Sequence, residues 1–172
     1  MKSTQIQSTF SLTRTIIATS LALFSGLAAA QIKIGVTIST TGPAASLGIP
    51  ERNAVALMPR SIAGVNIEYI VLDDGSDPVK AVQNARKLVG DDKVDVLVGS
   101  STTPNSLAMI DVSSEGKTPQ ISIASSLSIV DPVDAKRHWV FKTPQNDAHM
   151  MTAMSQHMSD KGRSEEHTSE LQ

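Results

Sequence analysis

Residues 94–105 read VDVLVGSSTTPN, and the class of the fold turns on their interpretation. Val94, Val96, Leu97 and Val98 form a short, almost unbroken run of β-branched and aliphatic side chains. A strand covered by helices on both faces reads this way, because neither of its faces needs polar residues. Gly99 closes the run, and Ser100, Ser101, Thr102 and Thr103 follow it. Pro104 then falls where a helix is expected to begin, since its missing N–H costs nothing there. The stretch therefore predicts a strand, a hydroxyl-rich loop and a helix start, with the loop at the carboxyl end of a parallel strand. Such a loop presents free backbone N–H groups and the positive end of a helix dipole, and in open α/β sheets it is where ligands bind.

The flanking sequence repeats the pattern. Residues 32–38 (IKIGVTI) predict a first strand, and residues 39–48 (STTGPAASLG) a loop of small and hydroxyl side chains. Pro50 is expected to open a helix carrying Val55, Leu57 and Met58, which Pro59 ends or kinks. Residues 65–72 (VNIEYIVL) predict the second strand and residues 73–77 (DDGSD) a turn. Asp77 is the expected N-cap of the next helix, with Pro78 at its first position and Val79, Val82, Ala85 and Val89 at helical spacing. After the central strand and its helix, residues 120–123 predict a fourth strand, residues 124–128 (ASSLS) a second hydroxyl-rich loop, and residues 139–143 (WVFKT) a fifth strand. Asn146 is the expected cap of a last helix. Strands separated by helices of this length require right-handed crossovers, hence an α/β fold with a parallel, doubly wound sheet.

The ends of the 172-residue chain read differently. Lys2 and Arg14 form a positive leader, residues 15–27 are apolar and uncharged, and Ala28, Ala29 and Ala30 supply the small residues of a signal-cleavage site. Residues 1–30 are therefore expected to be a cleaved signal peptide, too short in its apolar part for a comfortable membrane span, which takes about 20 residues. The mature chain then begins at Gln31 in the periplasm. Residues 163–172 (RSEEHTSELQ) switch abruptly to polar side chains without helical or strand period, after an expected helix end at Gly162. They equal one translated frame of a sequencing adapter and are expected to be an assembly artefact, the natural protein continuing beyond them. The chain has no cysteine and a formal net charge of −2, so neither disulfides nor a basic nucleic-acid-binding surface is expected.

Five blocks carry a family resemblance: residues 32–36 (IKIGV), 41–48 (TGPAASLG), 71–89 (VLDDGSDPVKAVQNARKLV), 92–112 (DKVDVLVGSSTTPNSLAMIDV) and 139–147 (WVFKTPQND). In this order and spacing they resemble the amino-terminal part of the type I periplasmic solute-binding proteins of branched-chain amino-acid ABC transporters, the leucine/isoleucine/valine-binding group. The resemblance spans residues 31–162 and implies a fold of two α/β lobes closing on a solute. Only the first lobe is represented, and that incompletely. It further implies a small-molecule solute and a membrane permease as partners, no cofactor and no catalysis.

By position, the resemblance assigns the solute's carboxylate and amine to the two hydroxyl loops, at Ser101, Thr102 and Thr103 and at Ala124, Ser125 and Ser126. Better-known members cover the solute with an aromatic side chain in the first loop. The matching position here is Leu47, which leaves a small aliphatic amino acid, an amide or an aromatic acid all compatible.

Other chemistry competes weakly. Asp73, Asp74 and Asp77 lack calcium-loop spacing and are read as a capped turn. Gly42 and Gly48 bracket a loop without the lysine of a phosphate-binding loop. A secreted hydrolase using Ser100 or Ser101 is the alternative on the same fold, although Ser100 lacks the flanking glycines of a nucleophile elbow. A solute sensor is another, and fold alone does not separate the three. The run of residues 149–158 (HMMTAMSQHM) offers soft copper ligands, yet Met150, Met154 and Met158 also make an apolar helix stripe, the preferred reading.

Overall fold

A computed structural model describes residues 31–162, and the expected signal peptide and tail lie outside the described residues. Six strands form one sheet: β1 (Gln31–Ile38), β2 (Ser61–Ile62), β3 (Val65–Asp73), β4 (Val96–Gly99), β5 (Gln120–Ser122) and β6 (Val140–Lys142). Five α-helices connect or follow them: α1 (Ala45–Leu57), α2 (Pro78–Arg86), α3 (Thr103–Ala108), α4 (Ile110–Gly116) and α5 (Asp147–Asp160).

The spatial strand order is β2-β3-β1-β4-β5-β6. β4 pairs in parallel with both β1 and β5, and β5 in parallel with β6. β2 is an addition that the sequence reading did not anticipate, a two-residue edge strand antiparallel to β3. Ala63 and Gly64 between them both have positive φ, as a tight two-residue hairpin requires.

Alternation along the strands assigns the two faces of the sheet. Leu97 of β4 packs with Ala81, Ala85 and Leu88 from α2 and its extension, and with Met109 and Val112 of the α3–α4 region. Val98, one residue on, joins Val36, Ile38 and Val55 on the α1 side. Helices thus cover both faces, as a doubly wound sheet demands. The α2 stripe is rotated from the expected one, since Ala81, Ala85 and Leu88 are buried while Val79 is exposed. Small alanines let α2 sit close to the sheet where valine would hold it off.

Local signals account for most element ends. Asp77 accepts from the Val79 N–H at 2.8 Å, and Asn146 accepts from the His149 N–H at 2.8 Å, both as expected N-caps. Pro50 is a correction: α1 begins at Ala45 and runs through Pro50 to Leu57. The Gly42–Leu47 segment already turns helically, with Gly48 N–H bonded to Ala44 O, so Pro50 is incorporated rather than initiating. Gly48 is required where it stands, because a Cβ there would lie 2.1 Å from the Ser39 carbonyl oxygen. Met150, Met154 and Met158 do fall on one helix, α5, but they are exposed and pack against no core among the described residues.

Candidate functional site

Chain connectivity places a crevice between β1 and β4. From β1 the chain crosses to β3 on one side, then returns to β4 on the other, and this reversal parts the loops at the carboxyl ends of the two strands. Gly99, at φ +124, ends β4 with its Cα against the neighbouring strand. A Cβ at Gly99 would fall 2.0 Å from Thr37 O, so only glycine admits this approach.

The floor of the crevice is polar and hydrogen-bonded. Asp74, buried at the end of β3, accepts from Ser39 Oγ at 2.7 Å, Ser100 Oγ at 2.7 Å, Ser76 N–H at 3.0 Å and Thr37 Oγ1 at 3.5 Å. Beside it Asp73 accepts from Thr41 Oγ1 at 2.6 Å and from the N–H groups of Thr40, Thr41 and Gly75. Desolvation alone would raise the Asp73 pKa. The hydrogen bonds from Thr41, Gly75 and Thr40 outweigh it and hold the carboxyl well below the usual carboxylate range. The DDGSD turn therefore clamps the β1 loop.

A chain of serines sets the two hydroxyl loops side by side. Ser106 Oγ accepts from Ser100 N–H at 2.9 Å and from Ser122 Oγ at 2.8 Å, and Ser122 Oγ accepts from Ala124 N–H at 3.2 Å. Lys142 steadies the outer rim, its ammonium donating to the carbonyls of Ser125 and Pro144 at 3.0 and 2.7 Å.

Above this floor lies an open cavity of about 410 Å³ lined by Leu47, Glu51, Ser101, Thr102, Thr103, Ile123, Ala124, Ser125 and Pro144. Six of the seven residues assigned from sequence meet here: Leu47, Ser101, Thr102, Thr103, Ala124 and Ser125. Ser126 does not line it. Its hydroxyl lies 3.0 Å from Ser128 Oγ and 3.5 Å from Asp147, where the chain enters a 3₁₀ turn. Leu47 lies in α1 rather than in a loop, half exposed at the cavity mouth.

The hydroxyls divide by role. Ser101 Oγ accepts from Ser39 N–H at 2.9 Å and donates to the Glu51 carboxyl. Thr102 is the N-cap of α3 in extended conformation but makes no side-chain cap, and the Thr102, Thr103 and Ser125 hydroxyls make no hydrogen bond among the described residues. α3 has six residues, so its dipole is slight and the free hydroxyls carry more of the site's polarity than the sequence reading supposed.

Glu51 escaped that reading. Half-burial raises its pKa, the Ser101 hydrogen bond lowers it, and the nearby Asp74 charge raises it, leaving the net shift upward. Ser100 is fully buried with its proton committed to Asp74, and His138, His149 and His157 are exposed and bonded to neither Ser100 nor Ser101.

A second hollow, of about 460 Å³, lies beside β6 and is lined by Val130, Val133 and Phe141 among others. Its cations are engaged elsewhere, Arg137 with Asp134 and Lys142 with the rim carbonyls.

The family model described as periplasmic binding protein matches residues 31–165. Among solved structures, an extracellular ligand-binding receptor from Rhodopseudomonas palustris HaA2 is 48% identical with a TM-score of 0.74, over 77% of this chain and 37% of that one. A solute-binding protein of an ABC transporter from the same strain, in complex with p-hydroxybenzoic acid, is 26% identical with a TM-score of 0.67, over 77% and 36%. The leucine binding protein LivK from Thermotoga maritima MSB8 is 21% identical with a TM-score of 0.65, over 72% and 35%, a likeness of fold. No curated protein matches the chain. The chain spans little more than a third of the length of these structures.

Proposed function

The chain belongs to the periplasmic binding protein family, and from that premise we propose that the whole protein binds a small organic acid in the periplasm and delivers it to the permease of an ABC transporter. The observation that carries the reading is the cavity at the β1–β4 crevice, where three hydroxyls without hydrogen-bond partners among the described residues, on Thr102, Thr103 and Ser125, face an apolar wall of Leu47, Ile123, Ala124 and Pro144. Hydroxyl donors suit a carboxylate and the apolar wall suits a hydrocarbon body.

The leucine/isoleucine/valine resemblance favours a branched-chain amino acid or a similar small carboxylate or amide. The likeness to a p-hydroxybenzoate complex supports an aromatic acid equally well, and Leu47 at the mouth leaves room for a ring. The second wall of the site belongs to the remainder of the protein, since a small-molecule site buries about 70 to 90% of its ligand and one open lobe does not.

The test is calorimetric titration of the full-length protein with branched-chain amino acids, their amides and hydroxybenzoates. Micromolar binding of at least one class is expected. Binding that requires none of Thr102, Thr103 and Ser125 would overturn the assignment of the site.

A further inference from the structure

Among the described residues Glu51 is the one ionisable side chain lining the cavity, and its hydrogen bond to Ser101 engages only half of its carboxyl. It sits in α1 one turn after Leu47. Ser101 Oγ accepts from Ser39 N–H at 2.9 Å, so its single proton is directed at the Glu51 carboxyl. That bond occupies one oxygen, and the other has no hydrogen bond among the described residues.

The charge around Glu51 is one-sided. Among the described residues no Lys, Arg or His lines the cavity. The charged neighbour that acts on it is the Asp74 carboxylate, itself buried beneath Ser39 and Ser100. A half-buried carboxyl without a cation or a second donor costs free energy. A solute that brings a donor to it removes that cost, whereas one that turns a carboxylate towards it adds repulsion.

We propose that Glu51 is a specificity-determining residue whose carboxyl takes a hydrogen-bond donor of the solute, a hydroxyl or an ammonium, while the solute's carboxylate lies at the Thr102, Thr103 and Ser125 hydroxyls. The inference rests on the solute-binding reading above and sharpens it. The protein selects acids that carry a donor over acids of the same shape that lack one.

The experiment is calorimetric titration of the full-length protein with two matched pairs, 4-hydroxybenzoate against benzoate and L-leucine against 4-methylpentanoate. In at least one pair the donor-bearing member binds about 30-fold tighter or more, as a site that hydrogen-bonds a solute's donor rejects the analogue lacking it. Glu51→Leu brings that ratio to within about threefold, chiefly by weakening the donor-bearing member. Glu51→Gln separates the two sources of donor: its amide oxygen still accepts, so a hydroxyl preference survives to within about fivefold, whereas an ammonium preference collapses as in Glu51→Leu.

Equal binding within both pairs by the wild type, or an undiminished ratio in Glu51→Leu, overturns the role of Glu51 and leaves the solute-binding reading standing. Binding of none of the four acids, and of none of the amino acids, amides and hydroxybenzoates titrated above, overturns both. Where Glu51→Leu fails to fold, Glu51→Ala takes its place with the same expected ratios.

Discussion

Ser100 Oγ donates to the buried carboxylate of Asp74 at 2.7 Å, a bond between the ends of two strands that are not neighbours. β1 lies between β3 and β4, and its Ser39 hydroxyl donates to the same carboxylate at 2.7 Å. Three strand ends are thus tied at one point beneath the cavity. Removing the carboxylate in Asp74→Ala strands several buried donors at about 1 to 3 kcal/mol each, so a loss of about 3 kcal/mol or more is expected. Asp74→Asn keeps one acceptor and loses less. Urea unfolding of the full-length protein measures both, and an alanine variant as stable as the wild type would show that the three ends are held by other means.

Acid stability follows from Asp73. Its folded pKa lies below the ordinary value of 3.8 because its hydrogen bonds outweigh desolvation. A depressed carboxyl adds stability that is fully present above the unfolded pKa and is lost as pH falls through the folded one. Wild-type stability should therefore decline steadily below about pH 4, and Asp73→Asn should flatten the slope there. Urea midpoints between neutral pH and acid check this, and identical slopes for the two proteins contradict it.

Asn105 gives a prediction of opposite sign. It is 1% exposed, and neither Nδ2 nor Oδ1 has a hydrogen-bond partner among the described residues. A buried amide left unpaired is a cost, and an apolar side chain of similar size is nearly neutral or stabilising in its place. Asn105→Leu should melt at or above the wild-type temperature. A drop of several degrees would mean that the amide has a bound partner, such as an internal water, in solution.

Local chemistry made much of this legible. The run from Val94 to Pro104 contains its own strand, loop and helix start, so the crevice and Thr102 and Thr103 could be placed without tertiary information. Asp77 and Asn146 announced their helices for the same reason. What stayed hidden depends on approach between distant segments. Glu51 meets Ser101 from 50 residues away. In the sequence it reads as one more charged residue on an amphipathic helix, and mistaking Pro50 for the helix start removed Leu47 from the same face. Ser126 stands apart from the cavity for a different reason: its cluster reads in the sequence as one loop, whereas the 3₁₀ turn starting at Leu127 directs it towards Ser128 and Asp147.

The free threonine hydroxyls yield the most direct test of the site. Thr102 and Thr103 line the cavity and donate to nothing among the described residues. Replacing them with valine keeps shape and branching while deleting only the hydroxyl. Stability should then change by less than about 0.5 kcal/mol, as at positions without a structural partner. Affinity should respond, because a hydroxyl bonded to a carboxylate contributes about 1.5 to 3 kcal/mol and one bonded to a neutral group about 0.5 to 1.5 kcal/mol. Thr102→Val and Thr103→Val are expected to weaken solute binding by about 3- to 100-fold each. Ser126→Ala, outside the cavity, serves as the control and should bind within about twofold of the wild type. Calorimetry on the full-length protein separates the possibilities. Affinity lost in the threonine variants alone supports the cavity as the solute site, and affinity lost in Ser126→Ala with both threonine variants intact moves the site to the other side of the β5 loop.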